Sequence, residues 1–245
     1  MIKLYLSSLN HRTLLVAVIS FASVFLCYRF KIFFNVDLTL LSIAIIFPLV
    51  FTIRGSFRRR EKALEHLSQY RSAMKTLHYF ITTSILLENE VASLKLLLEN
   101  IENKTLLHLK SHEGSITNLD KEVDKIYEFI HSRRKTIPKS LKEKLFKYMC
   151  DLHEAIDNLN GILVHRTPLS LKAYCKVFIY IFPLMYAPTI IFNIGPTYNP
   201  LAVYFVVVIT EFILISLYNI QDHLEYPFDE KGLDDIQLDH FKVLR

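Results

Sequence analysis

The 245-residue chain is 51% hydrophobic and carries a formal net charge of +5, with 5 glycines and no tryptophan. Its apolar residues fall into two blocks, one before residue 54 and one after residue 176, with a charged, amphipathic stretch between them. That distribution excludes a single soluble core and indicates a membrane protein with a cytosolic middle. The 3 cysteines, Cys27, Cys150 and Cys175, lie far apart without a CxxC pair. Neither a zinc site nor a disulfide framework is expected, and they read as buried small hydrophobes.

A membrane span needs about 20 mostly apolar residues, each rising ~1.5 Å. The N-terminal stretch MIKLYLSSLNHRTLLVAVISFASVFLCYRF has the basic start and apolar run of a signal peptide, but Cys27, Tyr28 and Arg29 close the run in place of a small-x-small cleavage site. It is read as a first span that stays attached, from about Thr13 to Tyr28. The second span runs from about Leu38 to Ile53. The third, from about Val177 to Ile194, contains Pro183 and Pro188, and the fourth runs from about Leu201 to Ile220. Prolines inside the second and third spans are tolerable where neighbouring groups satisfy the carbonyls they free. No stop signal precedes Ala63, so the second span is expected to continue out of the membrane as one long helix.

Between the apolar blocks, Leu64, Leu67, Arg71, Met74, Leu77, Ile81 and Ile85 recur at three- and four-residue steps, the period of an amphipathic helix. After a turn near SHEGS, the pattern repeats from about Ile116 to Tyr127 and on to Leu159. Strand signals are nearly absent. The expected fold class is an all-α integral membrane protein, four transmembrane helices plus a helical cytosolic region. Its divisions fall at 1–57 (spans one and two), 58–166 (cytosolic helices), 167–220 (spans three and four) and 221–245 (an acidic cytosolic segment). Short-loop charge sets the orientation. Lys3 and Arg12 precede the first span, Arg54, Arg58, Arg59, Arg60 and Lys62 follow the second, and Arg166, Lys172 and Lys176 precede the third. The NIGPTYNP loop between the third and fourth carries no charge, so both termini and the middle are expected in the cytoplasm, with a plasma or cell membrane as host.

Four constellations carry chemistry. Ile43, Phe47 and Phe51 share one helical stripe, which Arg54 and Arg58 continue, while Arg60 lies off it and is expected against lipid headgroups. The stripe is either a helix-packing face or, repeated around an axis, a dewettable apolar neck above a basic vestibule that gathers anions. Phenyl edges carry positive quadrupole density that suits an anion. Glu211 stands alone near the middle of the fourth span, where an ionisable group costs at least ~2.5 kcal/mol. It is read as a hydrogen bond to another helix, with an ion-path role as the alternative. His108, His112 and Glu113 have helix spacing for a metal pair but no third ligand, and read as structural. Asp229, Glu230, Asp234, Asp235 and Asp239 form an acidic tail without EF-hand spacing, a solvated surface or a hard-cation site. HExxH, a Walker loop, GxGxxG and GxSxG are absent, so no enzyme chemistry is indicated.

The order of these parts resembles the bestrophin family of anion channels. Ile43-x-x-x-Phe47-x-x-x-Phe51 matches the family's apolar neck, and Arg59, eight residues beyond Phe51, sits where the family has an arginine. Pro227-Phe228 followed by LDDIQLD resembles the family's Asn-Pro-Phe and its acidic continuation, with Tyr226 in place of the asparagine. HRTPLSLKAY resembles the approach to the third span, where a cytosolic aperture lies nearest Thr167 and Pro168. Arg60 and Glu61 stand where members usually have aromatic residues. The resemblance implies a homopentamer in a lipid bilayer, chloride or similar monovalent anions as the permeant species, no required cofactor and no nucleic-acid partner. It also implies a calcium clasp in animal members, of which Glu230 and Asp234 match part while Lys231 occupies a position that needs a carboxylate. The expected function is a passive anion channel. Its alternatives are a non-conducting membrane scaffold whose cytosolic helices bind a partner protein, and a transporter built around Glu211.

Overall fold

A computed structural model describes residues 10–83, 87–111, 116–133, 135, 137–195, 199–230, 232 and 234–243. Lys3, Ile85, His112, Glu113, Lys231 and residues 196–198 of the NIGPTYNP loop lie outside the described residues. The elements in chain order are α1 (His11–Phe30), α2 (Leu38–Thr83), α3 (Glu88–Ser111), α4 (Thr117–Ser132), α5 (Lys139–Val164), α6 (Leu169–Ile194), α7 (Pro200–Leu224) and a 3-10 turn (Leu238–Phe241), with no strand among the described residues. Four helical stretches are long and apolar enough to cross a membrane: His11–Phe30, Leu38–Thr83, Lys139–Ile194 and Pro200–Leu224. The protein is an all-α integral membrane protein.

Local chemistry sets the helix ends. Asn10 caps α1, its side-chain oxygen accepting from the N–H groups of Arg12 and Thr13 at 3.0 and 3.2 Å. Lys31 closes α1 in the left-handed region at φ 53, and the N–H of Ile32 returns to the Cys27 carbonyl. Asn199 caps α7 by accepting from the N–H of Leu201, with Pro200 in the first turn, where its missing donor costs nothing. α6 begins at Leu169, ahead of the apolar run, because Pro168 sets its N-cap while Lys172 and Lys176 interrupt the hydropathy on which the sequence reading relied.

The chain divides into two compact units, Met1–Arg58 with Thr167–Glu225, and Arg59–Arg166 with Tyr226–Arg245. In the first, one cluster buries Val16, Ile45, Leu49, Cys175, Ile179, Phe182, Leu214, Ile215 and Tyr218. A second buries Val24, Cys27, Ala187, Ile191, Val203 and Val207. Lipid tails are as apolar as leucine, so burial drives little helix association here, and close packing and polar links must hold these helices. The second unit has a water-type core, in which Leu67, Met74 and Leu77 of α2 join Leu98, Ile101, Ile126, Leu152, Leu159 and Phe228. Each such side chain contributes about 1.5–3 kcal/mol when taken from water. Its C-terminal segment is fastened by buried Phe228, Ile236 and Leu238, by the Ile236 N–H on the Pro227 carbonyl at 2.8 Å, and by the Val243 N–H on the buried carboxylate of Glu102.

The cysteine expectation needs one correction. Cys27 and Cys175 are buried, but Cys150 is exposed on α5, because its position falls off the face that Leu145, Leu152 and Ile156 bury.

Candidate functional site

α2 has two faces in the first unit. Ile45, Leu49, Thr52 and Ser56 are buried at three- and four-residue steps, exposed by 3% or less. The other face carries Ile43, Phe47 and Phe51, exposed by 54, 62 and 52%. This chain's own helices therefore do not cover the stripe, and packing within one copy does not account for it. The Phe47 and Phe51 rings meet edge to face, centroids 4.6 Å apart at 79°, so one ring's positive edge is directed along the stripe. Arg54 and Arg58 continue the same exposed face and make no hydrogen bond or ion pair among the described residues.

Pro48 lies inside this helix. Lacking an N–H, it leaves the Ala44 carbonyl without its usual helical donor. The Tyr174 hydroxyl of α6 supplies one, at 3.2 Å. The sequence indicates that a neighbouring group answers the carbonyl this proline frees, but not that the donor is Tyr174, 130 positions away. Tyr174→Phe removes that bond, at about 1 kcal/mol net. It is expected to loosen the turn that carries Ile43 and Phe47 without unfolding the protein. Faster amide hydrogen exchange at residues 43–50, with an unchanged far-ultraviolet spectrum, checks it.

At one end of the same unit lies a polar network that the sequence reading did not anticipate. Lys172 donates to Asp222 and to Glu225, both at 2.7 Å, and Arg12 donates to the other Asp222 oxygen at 2.7 Å. Glu225, exposed by 2%, also accepts the Thr167 backbone N–H at 3.1 Å and the Gln221 amide at 3.0 Å. The Gln221 amide reaches Ser56 of α2 at 3.4 Å. A hydrogen-bonded chain thus runs from Ser56 through Gln221 and Glu225 to Thr167. Of the two aperture residues, Thr167 is buried and Pro168 exposed, so in a single copy only Pro168 offers its side chain to solvent. The available signal was charge placement: Asp222 and Glu225 share a helix face at the end of α7, and Arg12 and Lys172 stand at the matching ends of α1 and α6.

Two other expectations change. Glu211 is fully buried, yet neither carboxylate oxygen has a hydrogen-bond partner among the described residues. The buried hydroxyls of Ser20, Ser23 and Thr189 instead donate to carbonyls of their own helices. Arg60 does not extend toward headgroups: its Nε donates to the Asp234 carbonyl at 2.6 Å.

Among the described residues, the acidic loop does not present a set of free carboxylates for a calcium ion. Calcium takes six to eight oxygens, several of them carboxylates. Here the Glu230 carboxylate pairs with Lys110 at 2.6 Å, Asp235 is turned onto the Gly232 N–H at 2.7 Å, and the Asp234 carbonyl is taken by Arg60. The hydrogen bond from Glu230 pushes the Lys110 ammonium up, keeping that pair ionic at neutral pH. No cluster of three or more His, Cys, Asp or Glu suited to a metal occurs among the described residues. His108, read as structural, is bonded through Nε2 to Asn160 at 2.9 Å.

No family model and no curated protein matches the chain. Solved structures do. A crystal structure of a bacterial bestrophin homologue from Klebsiella pneumoniae superposes with a TM-score of 0.78 at 15% identity, covering 94% of this chain and 93% of that one. A point variant of a bestrophin homologue from that organism gives 0.77 at 15% identity over the same shares. A membrane protein carrying a single substitution gives 0.76 at 16% identity, again over 94% and 93%. The overlap spans nearly all of both chains, so the likeness is not confined to a shared helical hairpin. The chain has the fold of the bacterial bestrophin homologues.

Proposed function

We propose that the protein is a passive channel for chloride-type monovalent anions, assembled as a homopentamer in a cell membrane, with both termini and the second unit in the cytoplasm. Ile43, Phe47 and Phe51 form the apolar neck. Arg54 and Arg58 supply positive potential beside it, and Pro168, held through Thr167, borders the cytosolic aperture. The observation that carries this reading is the exposed aromatic stripe running into two arginines that have no partner among the described residues, on a helix whose opposite face is buried. Five copies around an axis turn that stripe into rings that an anion passes with part of its hydration removed. Conduction of this kind is downhill and needs no cofactor.

Purified protein in liposomes is expected to release chloride faster than potassium. Single cysteines at 43, 47, 51, 54 and 58 are expected to react with small water-soluble thiol reagents from the aqueous phase. Absent flux together with unreactive cysteines favours a non-conducting scaffold, while saturable flux coupled to another ion favours a transporter.

A further inference from the structure

The second unit holds a cavity of about 660 Å³ between α3 and α4 that the channel reading does not use. α3 contributes Lys104, Leu107, His108 and Ser111, one helical face by their three- and four-residue spacing, and α4 contributes a facing stripe that includes Asn118, Lys121, Glu122 and Lys125. Its size falls in the range of sites that enclose small organic molecules.

The lining is divided by chemistry. Among the described lining residues, Lys104, Lys121 and Lys125 stand against one acid, Glu122, so three ammoniums and one carboxylate leave a formal charge of +2. Glu122 is nearly buried, its side chain 11% exposed. It accepts from Lys104 at 2.6 Å and from Lys125 at 2.9 Å on each oxygen. Those hydrogen bonds, Lys104 first, hold its carboxyl below the usual carboxylate range, so it stays ionised and fixes both ammoniums in place. An ammonium has three N–H donors. Lys104 therefore keeps donors to spare, and Lys121 has no partner among the described residues. Beside these charges lies apolar surface: Leu107 lines the groove and is 66% exposed.

We propose that this groove binds a small organic phosphate, with its phosphate on Lys104, Lys121 and Lys125 and its apolar body on Leu107. A phosphate monoester carries about −1.5 to −2 at neutral pH and offers three acceptor oxygens, matching both the charge and the spare donors. A simple halide has no body to place on Leu107, and a neutral apolar molecule leaves the ammoniums unanswered. The site lies wholly within the second unit and does not rest on conduction.

Calorimetry on the full-length protein in detergent, with 1-naphthyl phosphate, inorganic phosphate and 1-naphthol as probes, tests it. Naphthyl phosphate is expected to bind about tenfold more tightly than either half. Lys121→Glu is expected to weaken it about tenfold or more, and Leu107→Asn to remove its advantage over inorganic phosphate. Lys139→Glu, a charge reversal at an exposed position outside the groove, is expected to change nothing. Unchanged helix content and melting temperature in Lys121→Glu separate a lost site from a lost fold. Absent binding, equal binding of naphthyl phosphate and inorganic phosphate, or full binding by Lys121→Glu overturns the proposal.

Discussion

Liposomes carrying the Phe47→Ala, Phe51→Ala protein are expected to pass chloride about tenfold faster than those carrying the unaltered chain, and to discriminate less among anions of different size. A constriction of phenyl groups forces an anion to shed water, and removing about 1.4 kcal/mol of that barrier raises the rate tenfold. Both rings are more than half exposed in the single copy, so truncating them costs the protomer little packing. The flux change is therefore not expected to come with a change in thermal stability. Arg54→Glu with Arg58→Glu acts on the other component: it reverses the local potential and is expected to cut anion preference while leaving the neck's size selection in place. A stripe facing lipid makes the opposite prediction, unchanged flux for the phenylalanine pair, and that result would dispose of the pore reading. Particle symmetry then tests the assembly separately, by showing whether α2 lines the axis of a ring.

Lys172→Ala is expected to be the most destabilising single change in the first unit, at about 3–5 kcal/mol, because it strands Glu225 and half of Asp222 without their cation. For a protein of this size that corresponds to a melting temperature lower by roughly 10 °C in detergent. Arg12 cannot make good the loss, since it already holds the other Asp222 oxygen and does not reach Glu225. If the effect lies in orphaned charge, adding Asp222→Asn and Glu225→Gln to Lys172→Ala restores much of the stability. If it lies in the packing of the lysine stem, the triple variant stays as unstable as the single one. A fall of less than 1 kcal/mol for Lys172→Ala would show that water enters the network and screens it.

Features that repeat along the chain were legible in the sequence. Hydropathy located the four spans, and the absence of a stop before Ala63 anticipated that Leu38–Thr83 is a single helix. The four-residue spacing that grouped Ile43, Phe47 and Phe51 also puts them on one exposed face. Partnerships were not legible, because periodicity says which face a residue occupies and not what meets it. Tyr174 answering the Ala44 carbonyl, Lys172 bridging Asp222 and Glu225, and Arg60 on Asp234 each join positions 50 or more residues apart. Glu211 shows the converse: burial was foreseeable from its place in an apolar run, but the expected hydrogen bond is absent among the described residues. Cys150 failed for a simpler reason, since cysteine is buried on average and its own helix turns it outward.

The carboxyl of Glu211, without a hydrogen bond among the described residues, bears on how the protein is made. While α7 is being handed from the translocon to lipid, no neighbouring helix need yet be present, and an acidic group at mid-span costs about 2.5–3.5 kcal/mol on insertion scales. Leucine, isoleucine, phenylalanine and valine each return about 0.3–0.6 kcal/mol. The runs Val206–Ile209 and Phe212–Ile215 that flank Glu211 therefore carry this helix across the bilayer. The hydrophobicity of these flanking runs offsets the insertion cost of one residue that the folded bundle leaves without a hydrogen bond among the described residues.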